Sequence, residues 1–133
     1  MPPTATPPDL FTIAASGLTA SRLRLAVASD NLANADSTAG TPYQDLVVNL
    51  AAAPVPTSGP DAGIGAGVEV TGIVPLAAPP IPGVGPAGSS GAAEPDVSLV
   101  ANLTDIIDAQ SSYSANATAF TAAKTLDMKA LTL

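Results

Sequence analysis

Apolar and small residues recur along the first part of the chain at alternating steps of three and four. Phe11, Ala14, Leu18, Ser21, Leu25, Ala28 and Leu32 trace one seam, with a small residue at every second position. That spacing predicts a helix over 9–35 with a heptad face. Asp9, after Pro7 and Pro8, is placed to cap its start. Gly17 costs about 1 kcal/mol in a helix interior relative to alanine, so it calls for a close helix neighbour. The helix should end near Asn34, before a polar turn containing Gly40 and Pro42.

The period then changes. Leu46, Val48 and Leu50 alternate with Asp45, Val47 and Asn49, which predicts a strand. Val68, Val70 and Thr71-Gly-Ile-Val74 predict a second, and the Pro- and Gly-rich stretch between them makes the pair an antiparallel hairpin. From Pro75 to Pro95 prolines and glycines recur with Glu94 as the one charge, so no helix can run through it. From Asp96, a candidate cap, neither Gly nor Pro intervenes to the end. Leu99, Leu103, Ile106, Gln110, Tyr113, Ala117 and Phe120 restore the four–three spacing, with Val100, Ile107 and Met128 widening the stripe. Such a helix is about 50 Å long and the first somewhat under about 40 Å. The expected fold is mainly α: long N- and C-terminal helices paired as a coiled coil, with a small β-hairpin and a Pro/Gly-rich insertion between them. Residues 1–35 and 96–133 would form one discontinuous helical domain, and 36–95 the hairpin and insertion.

Composition narrows what such a pair can do. The 133 residues include two Phe, two Tyr and no Trp, against 14 Pro and 11 Gly. Side chains this small bury little area, at about 25 cal/mol per Å², so much of the burial should come from neighbouring chains. A formal net charge of −7, with four scattered basic residues, disfavours nucleic acid and anionic membranes. No stretch approaches the roughly 18 apolar residues of a membrane span, and the start lacks the pattern of a secretory signal. Without Cys or His there is no thiolate zinc site, cysteine nucleophile or histidine base.

The remaining chemical candidates are thin. Gly63-Ile-Gly65-Ala-Gly67 precedes a strand, whereas a phosphate loop follows a strand and opens a helix, so a hairpin loop is expected. Asp105 and Asp108 lie one helical turn apart, but two carboxylates without further ligands read as a solvated face. Lys124 has no elbow around Ser111, Ser112 or Ser114 to make it part of a hydrolase. Asn102-Leu-Thr104 and Asn116-Ala-Thr118 match a glycosylation sequon inside a predicted helix, where chance accounts for them. Asn31 and Asn34 suit a helix C-cap, though a more specific role stays open.

Those two asparagines also carry a resemblance. Phe11-Thr-Ile-Ala-Ala-Ser-Gly-Leu-Thr-Ala20 and Arg24-Leu-Ala-Val-Ala-Ser-Asp-Asn-Leu-Ala-Asn-Ala-Asp-Ser37, centred on Asn31, Leu32, Ala33 and Asn34, resemble the N-terminal signature of flagellar basal-body rod proteins. Pro42-Tyr43, Pro95-Asp-Val-Ser98, Ile106-Ile-Asp-Ala-Gln-Ser-Ser-Tyr-Ser-Ala-Asn116 and the ending from Lys124 are similar to the proximal members of that family. The middle departs from the pattern: Pro79 to Ala93 is of low complexity, and Ser114 stands where the family has Gln. The resemblance implies a structural subunit of the proximal rod, the drive shaft for flagellum-dependent motility, with no enzymatic activity, cofactor or metal. It implies partners among other rod proteins, the rod-base adaptor protein and the flagellar export apparatus. It further implies export without a cleaved signal, no membrane insertion, and a helical hetero-oligomer. The seam residues Phe11, Leu18, Leu25, Leu32, Leu103, Ile106, Tyr113 and Phe120 would pack the helices. The alternatives are another rod or hook protein, or a secreted coiled-coil interaction protein that shares the seams without both end signatures.

Overall fold

The computed structural model describes residues 10–36, 43–59, 62–76 and 98–132. Helix α1 spans Leu10–Ala33, strands β1 and β2 span Leu46–Ala52 and Val68–Pro75, and helix α2 spans Leu99–Ala130. The architecture is therefore mainly helical with a two-stranded antiparallel sheet, and the hairpin lies where the alternating pattern predicts it. The expected cap at Asp9 and the Pro/Gly-rich stretch beyond Leu76 fall outside the described residues.

Four cross-helix contacts define how the helices meet. Phe11 touches Phe120 edge-on, with centroids 5.2 Å apart. Gly17 lies against Asn116, Arg24 pairs with Asp105, and Asn31 bonds Asn102. Numbers rise along α1 as they fall along α2, so the pair is antiparallel. The close neighbour required at Gly17 is Asn116: a Cβ built on Gly17 would stand 2.6 Å from the Asn116 amide nitrogen. Small residues dominate the buried set, with Ala14, Ala20, Val27 and Ala28 on α1 and Ala109 and Ala123 on α2.

Each helix end has a local cause. The Asn34 N–H reaches back to the carbonyls of Asp30 and Asn31 at 3.1 and 3.2 Å, tightening the last turn, and its side chain donates to the Asp30 carbonyl at 2.8 Å. Asn34 is thus the C-cap that its position suggested. At the start of α2 the cap is Ser98, whose hydroxyl accepts from the Ala101 N–H. This corrects the expectation of Asp96, two residues earlier: the hydroxyl of Ser98 reaches the orphan N–H groups of the first turn.

The hairpin leans on α1. Leu46 pairs with Pro75 and Asn49 with Gly72, whereas Leu50 pairs with Val70. Thr71 is the extra residue of a bulge, and its hydroxyl donates to the Asn49 carbonyl at 3.2 Å. The Gly-rich stretch is the loop returning into β2, as its context required. Gly67 has φ 96° and passes so close over Ser16 and Ile13 that a Cβ would collide. The adjacent Val68 N–H donates to the Ser16 hydroxyl at 3.1 Å. Ser16 and Asn31 are about 22 Å apart along α1, and β1 spans about 20 Å, so the hairpin is pinned to α1 near both ends.

Candidate functional site

Three elements converge on one buried polar cluster. Asn31, from the last turn of α1, is 2% exposed; Asn102, from the first turn of α2, is 3% exposed; Asp45, just before β1, is 4% exposed. Local sequence explains each placement. Asn31 follows Ala28 by three on the seam, Asn102 lies one turn after the Ser98 cap, and Asp45 precedes the first apolar strand residue.

Asn31 uses its whole amide. Its nitrogen donates to the Leu46 carbonyl and to Asn102 Oδ1, both at 2.9 Å. Its oxygen accepts from the Leu46 N–H at 3.0 Å and from the Tyr43 hydroxyl at 3.1 Å. Two donors and two acceptor sites are all that a carboxamide has. Towards Leu46 it behaves as a peptide group would, pairing with both backbone groups of the strand's first residue. Neither a carboxylate nor an aliphatic side chain supplies that combination.

Asn102 completes the cluster. Its nitrogen faces both oxygens of Asp45, at 3.1 and 3.0 Å, and the Ser98 carbonyl at 3.1 Å. The Asp45 carboxylate also accepts the Ser98 N–H at 3.1 Å, so it stands at the N-terminus of α2. The Asp45 carbonyl accepts the Leu76 N–H at 2.7 Å and closes the base of the hairpin. No buried side-chain polar atom among the described residues lacks a partner, so the cluster meets the requirement on buried polar groups. Burial first, then the charges of Asp30 and Asp45, raises the Tyr43 phenol above its ordinary 10.0.

Beside the cluster, Arg24 Nη2 meets Asp105 Oδ1 at 2.8 Å, and the two line a cleft of about 210 Å³ together with Val27, Ala28 and β1 residues. Asp105 is thus committed to Arg24, while Asp108 is solvent-exposed. No group of three or more potential metal ligands occurs among the described residues. Ser114 and Lys124 are ten residues apart along α2, about 15 Å, and form no dyad.

The expected seam residues divide. Phe11 and Phe120 meet directly, and Leu18, Leu25, Leu32 and Ile106 are half-buried. Leu103 and Tyr113, at 44% and 42% exposure, stay largely open within the single chain. On α2 the line turned to α1 is Asn102, Ala109, Asn116 and Ala123, at steps of seven, with Leu99 and Leu103 to one side. The helix is rotated because Asn102 has to face Asn31 and Asp45. Of the cluster, sequence reasoning singled out Asn31 and missed Tyr43, Asp45 and Asn102 as a site. The available signal was the alternation of Asn and Ala at that seven-residue step.

Comparison with known proteins covers the same segments. Residues 11–40 match the family model described as flagella basal body rod protein. Residues 92–133 match the one described as flagellar basal body rod FlgEFG protein C-terminal. The chain is 36% identical over 135 residues to the flagellar basal-body rod protein FlgC of Escherichia coli O157:H7, covering 94% of this chain and 96% of that protein. It is 35% identical to FlgC of Salmonella typhimurium strain LT2 and 36% to that of Yersinia enterocolitica, with the same coverage.

Proposed function

The chain belongs to the family of flagellar basal-body rod proteins, and from that premise we propose that it assembles by burying the outer face of α2 against neighbouring subunits. It is a structural subunit of the flagellar basal-body rod. The position we assign it is the proximal rod, where the chain transmits rotation by packing and carries out no chemical step.

One observation carries the packing mechanism. Leu99, Val100, Leu103 and Ile107 are 52%, 75%, 44% and 65% exposed and share one side of the first turns of α2. Full burial of such a side chain is worth about 1.5–3 kcal/mol, so four together represent an upper limit of about 6–12 kcal/mol available to a neighbour. Farther along, Ser114, Ala117, Thr118, Thr121, Ala122 and Thr125 line a shallow groove. The hydroxyls of Thr118, Thr121 and Thr125 bond carbonyls four residues back, leaving their methyl groups to line it. A second helix can approach closely there. In this reading α1 and α2 are one discontinuous helical domain, and Leu103, Tyr113 and Phe120 complete their seams as a coiled coil in the array. The array is heterologous and helical, built with other rod proteins and the rod-base adaptor after delivery by the export apparatus.

Val100→Asp and Ile107→Asp test it. Both side chains are exposed, so the single chain should keep its helicity and its stability within about 0.5 kcal/mol. Incorporation into basal bodies and swimming should be lost. Normal motility of both variants would overturn the packing mechanism.

A further inference from the structure

We propose that the Asn31–Asn102–Asp45 cluster sets the register of the helix pair, and that the hairpin, through Asp45, is what selects it. The consequence for assembly rests on the rod reading; the register mechanism does not.

The helical seam alone is nearly degenerate. The small positions of α1, Ala14, Ser21 and Ala28, repeat every seven residues. On α2 the facing positions Asn102, Ala109, Asn116 and Ala123 repeat at the same step. A slide of one heptad, about 10 Å, again sets small residues against small residues. It brings Asn31 level with Ala109 and Gly17 level with Ala123, which fits the notch at Gly17. A slide of two heptads brings Asn31 level with Asn116 and offers it an equivalent amide. Shape complementarity among alanines is a weak discriminator, because each adds so little contact area.

The Phe11–Phe120 and Arg24–Asp105 pairs are lost on sliding too, but Phe120 is 36% exposed and the ion pair is open to solvent. The buried contact that does not repeat is that of Asp45. Its carboxylate receives both its side-chain contacts from Asn102, together with the Ser98 N–H. A one-heptad slide puts Ala109 in the place of Asn102, and this 4%-exposed carboxylate loses its amide partner. A two-heptad slide supplies the Asn116 amide but replaces Ser98 with Ser112, whose N–H lies inside α2 and cannot take the place of the Ser98 N–H. In both cases a buried charged group is left short of donors, at a cost. Asp45 is fixed by the chain to Leu46, whose backbone is clamped by Asn31. The hairpin therefore measures the start of α2 against Asn31: it distinguishes Asn102 from Ala109 by the amide and from Asn116 by the free N–H of Ser98. A buried polar residue in a helical seam acts in the same way when it specifies alignment in coiled coils. In a rod, copies with one register present the exposed residues of α2 at a single height.

The 133-residue chain provides the test, since it has no cysteine of its own. The native register is reported by Arg24→Cys with Asp105→Cys, and a one-heptad slide by Arg24→Cys with Ser112→Cys. A short bismaleimide is the probe, and the intrachain cross-linking rates are compared. The native pair should react at least about tenfold faster, given coupling energies typical of buried networks. Adding Asn102→Asp sets two carboxylates against each other and should bring the two rates within about threefold. Adding Asp45→Asn as well exchanges donor and acceptor and should restore the preference for the native pair. The proposal is overturned if Asn102→Asp leaves the ratio unchanged, or if it abolishes both cross-links together. It is overturned equally if the double substitution fails to restore the ratio.

Discussion

Replacing Asn31 with alanine should be among the costliest single changes to this fold. The side chain is 2% exposed and makes four hydrogen bonds. Its loss orphans Asn102 Oδ1, which is fully enclosed, at about 1–3 kcal/mol. The Tyr43 hydroxyl and the two Leu46 backbone groups belong to half-buried residues, which water can reach in part, so each adds about 0.5–1 kcal/mol. The expected total is about 2.5–6 kcal/mol, against a domain stability of about 5–15 kcal/mol. The control is Asn34→Ala, three residues on, which removes one exposed capping bond to the Asp30 carbonyl and should cost no more than about 1 kcal/mol. Urea denaturation followed by circular dichroism separates the two. With a slope of about 1–3 kcal/mol per molar urea, the Asn31→Ala midpoint should fall by more than about 1 M, while that of Asn34→Ala should move by a fraction of this. Equal shifts for the two variants would refute the buried-clamp account and return Asn31 to the role of a simple cap.

Other consequences are more local. Gly17→Ala gains about 1 kcal/mol of helix propensity, and the Asn116 atoms its Cβ meets are the free end of a side chain that can turn aside; the two effects nearly offset, so the melting temperature should move by no more than a few degrees, and adding Asn116→Ala should raise it. Tyr43 stays protonated in the fold to a higher pH than its unfolded value of 10.0. Its contribution is therefore intact below about pH 10 and is lost as pH rises above it. Tyr43→Phe should flatten stability against pH in that range in a titrated urea series. Asp105→Ala breaks an ion pair whose side chains are 31% and 49% exposed, so it should change stability by less than about 1 kcal/mol and less still in high salt. A larger, salt-insensitive loss would mean that the pair is more enclosed than its exposure implies.

Much of the architecture was legible along the chain because its periods are local properties. Steps of three and four between Phe11 and Leu32, alternation from Asp45 to Leu50, and the prolines between them are read within a few residues. They yielded both helices, both strands and the hairpin. The Asn34 cap was legible for the same reason. So was the need for a close neighbour at Gly17, since a glycine inside a helix is unfavourable unless something fits against it. The family signature was legible around Asn31, but its physical meaning was not.

Sequence alone determined that this chain would be two helices and a hairpin with too few large side chains to enclose a thick core. Its lack of Cys and His likewise ruled out thiolate and imidazole chemistry. The way α2 turns and what its asparagines do came instead from contacts between distant segments. Asn102 looked like an ordinary polar position, and the apolar count favoured the Leu99–Leu103 side as the inward face. Hydrogen bonds reversed that choice. A stripe wide enough to pack in several orientations leaves rotation undetermined, whereas an amide buried against a carboxylate from a distant strand permits one orientation. Such partners, 57 residues apart for Asn102 and Asp45, leave no period in the chain. Their pairing emerges only when α1, the hairpin and α2 are brought together in space.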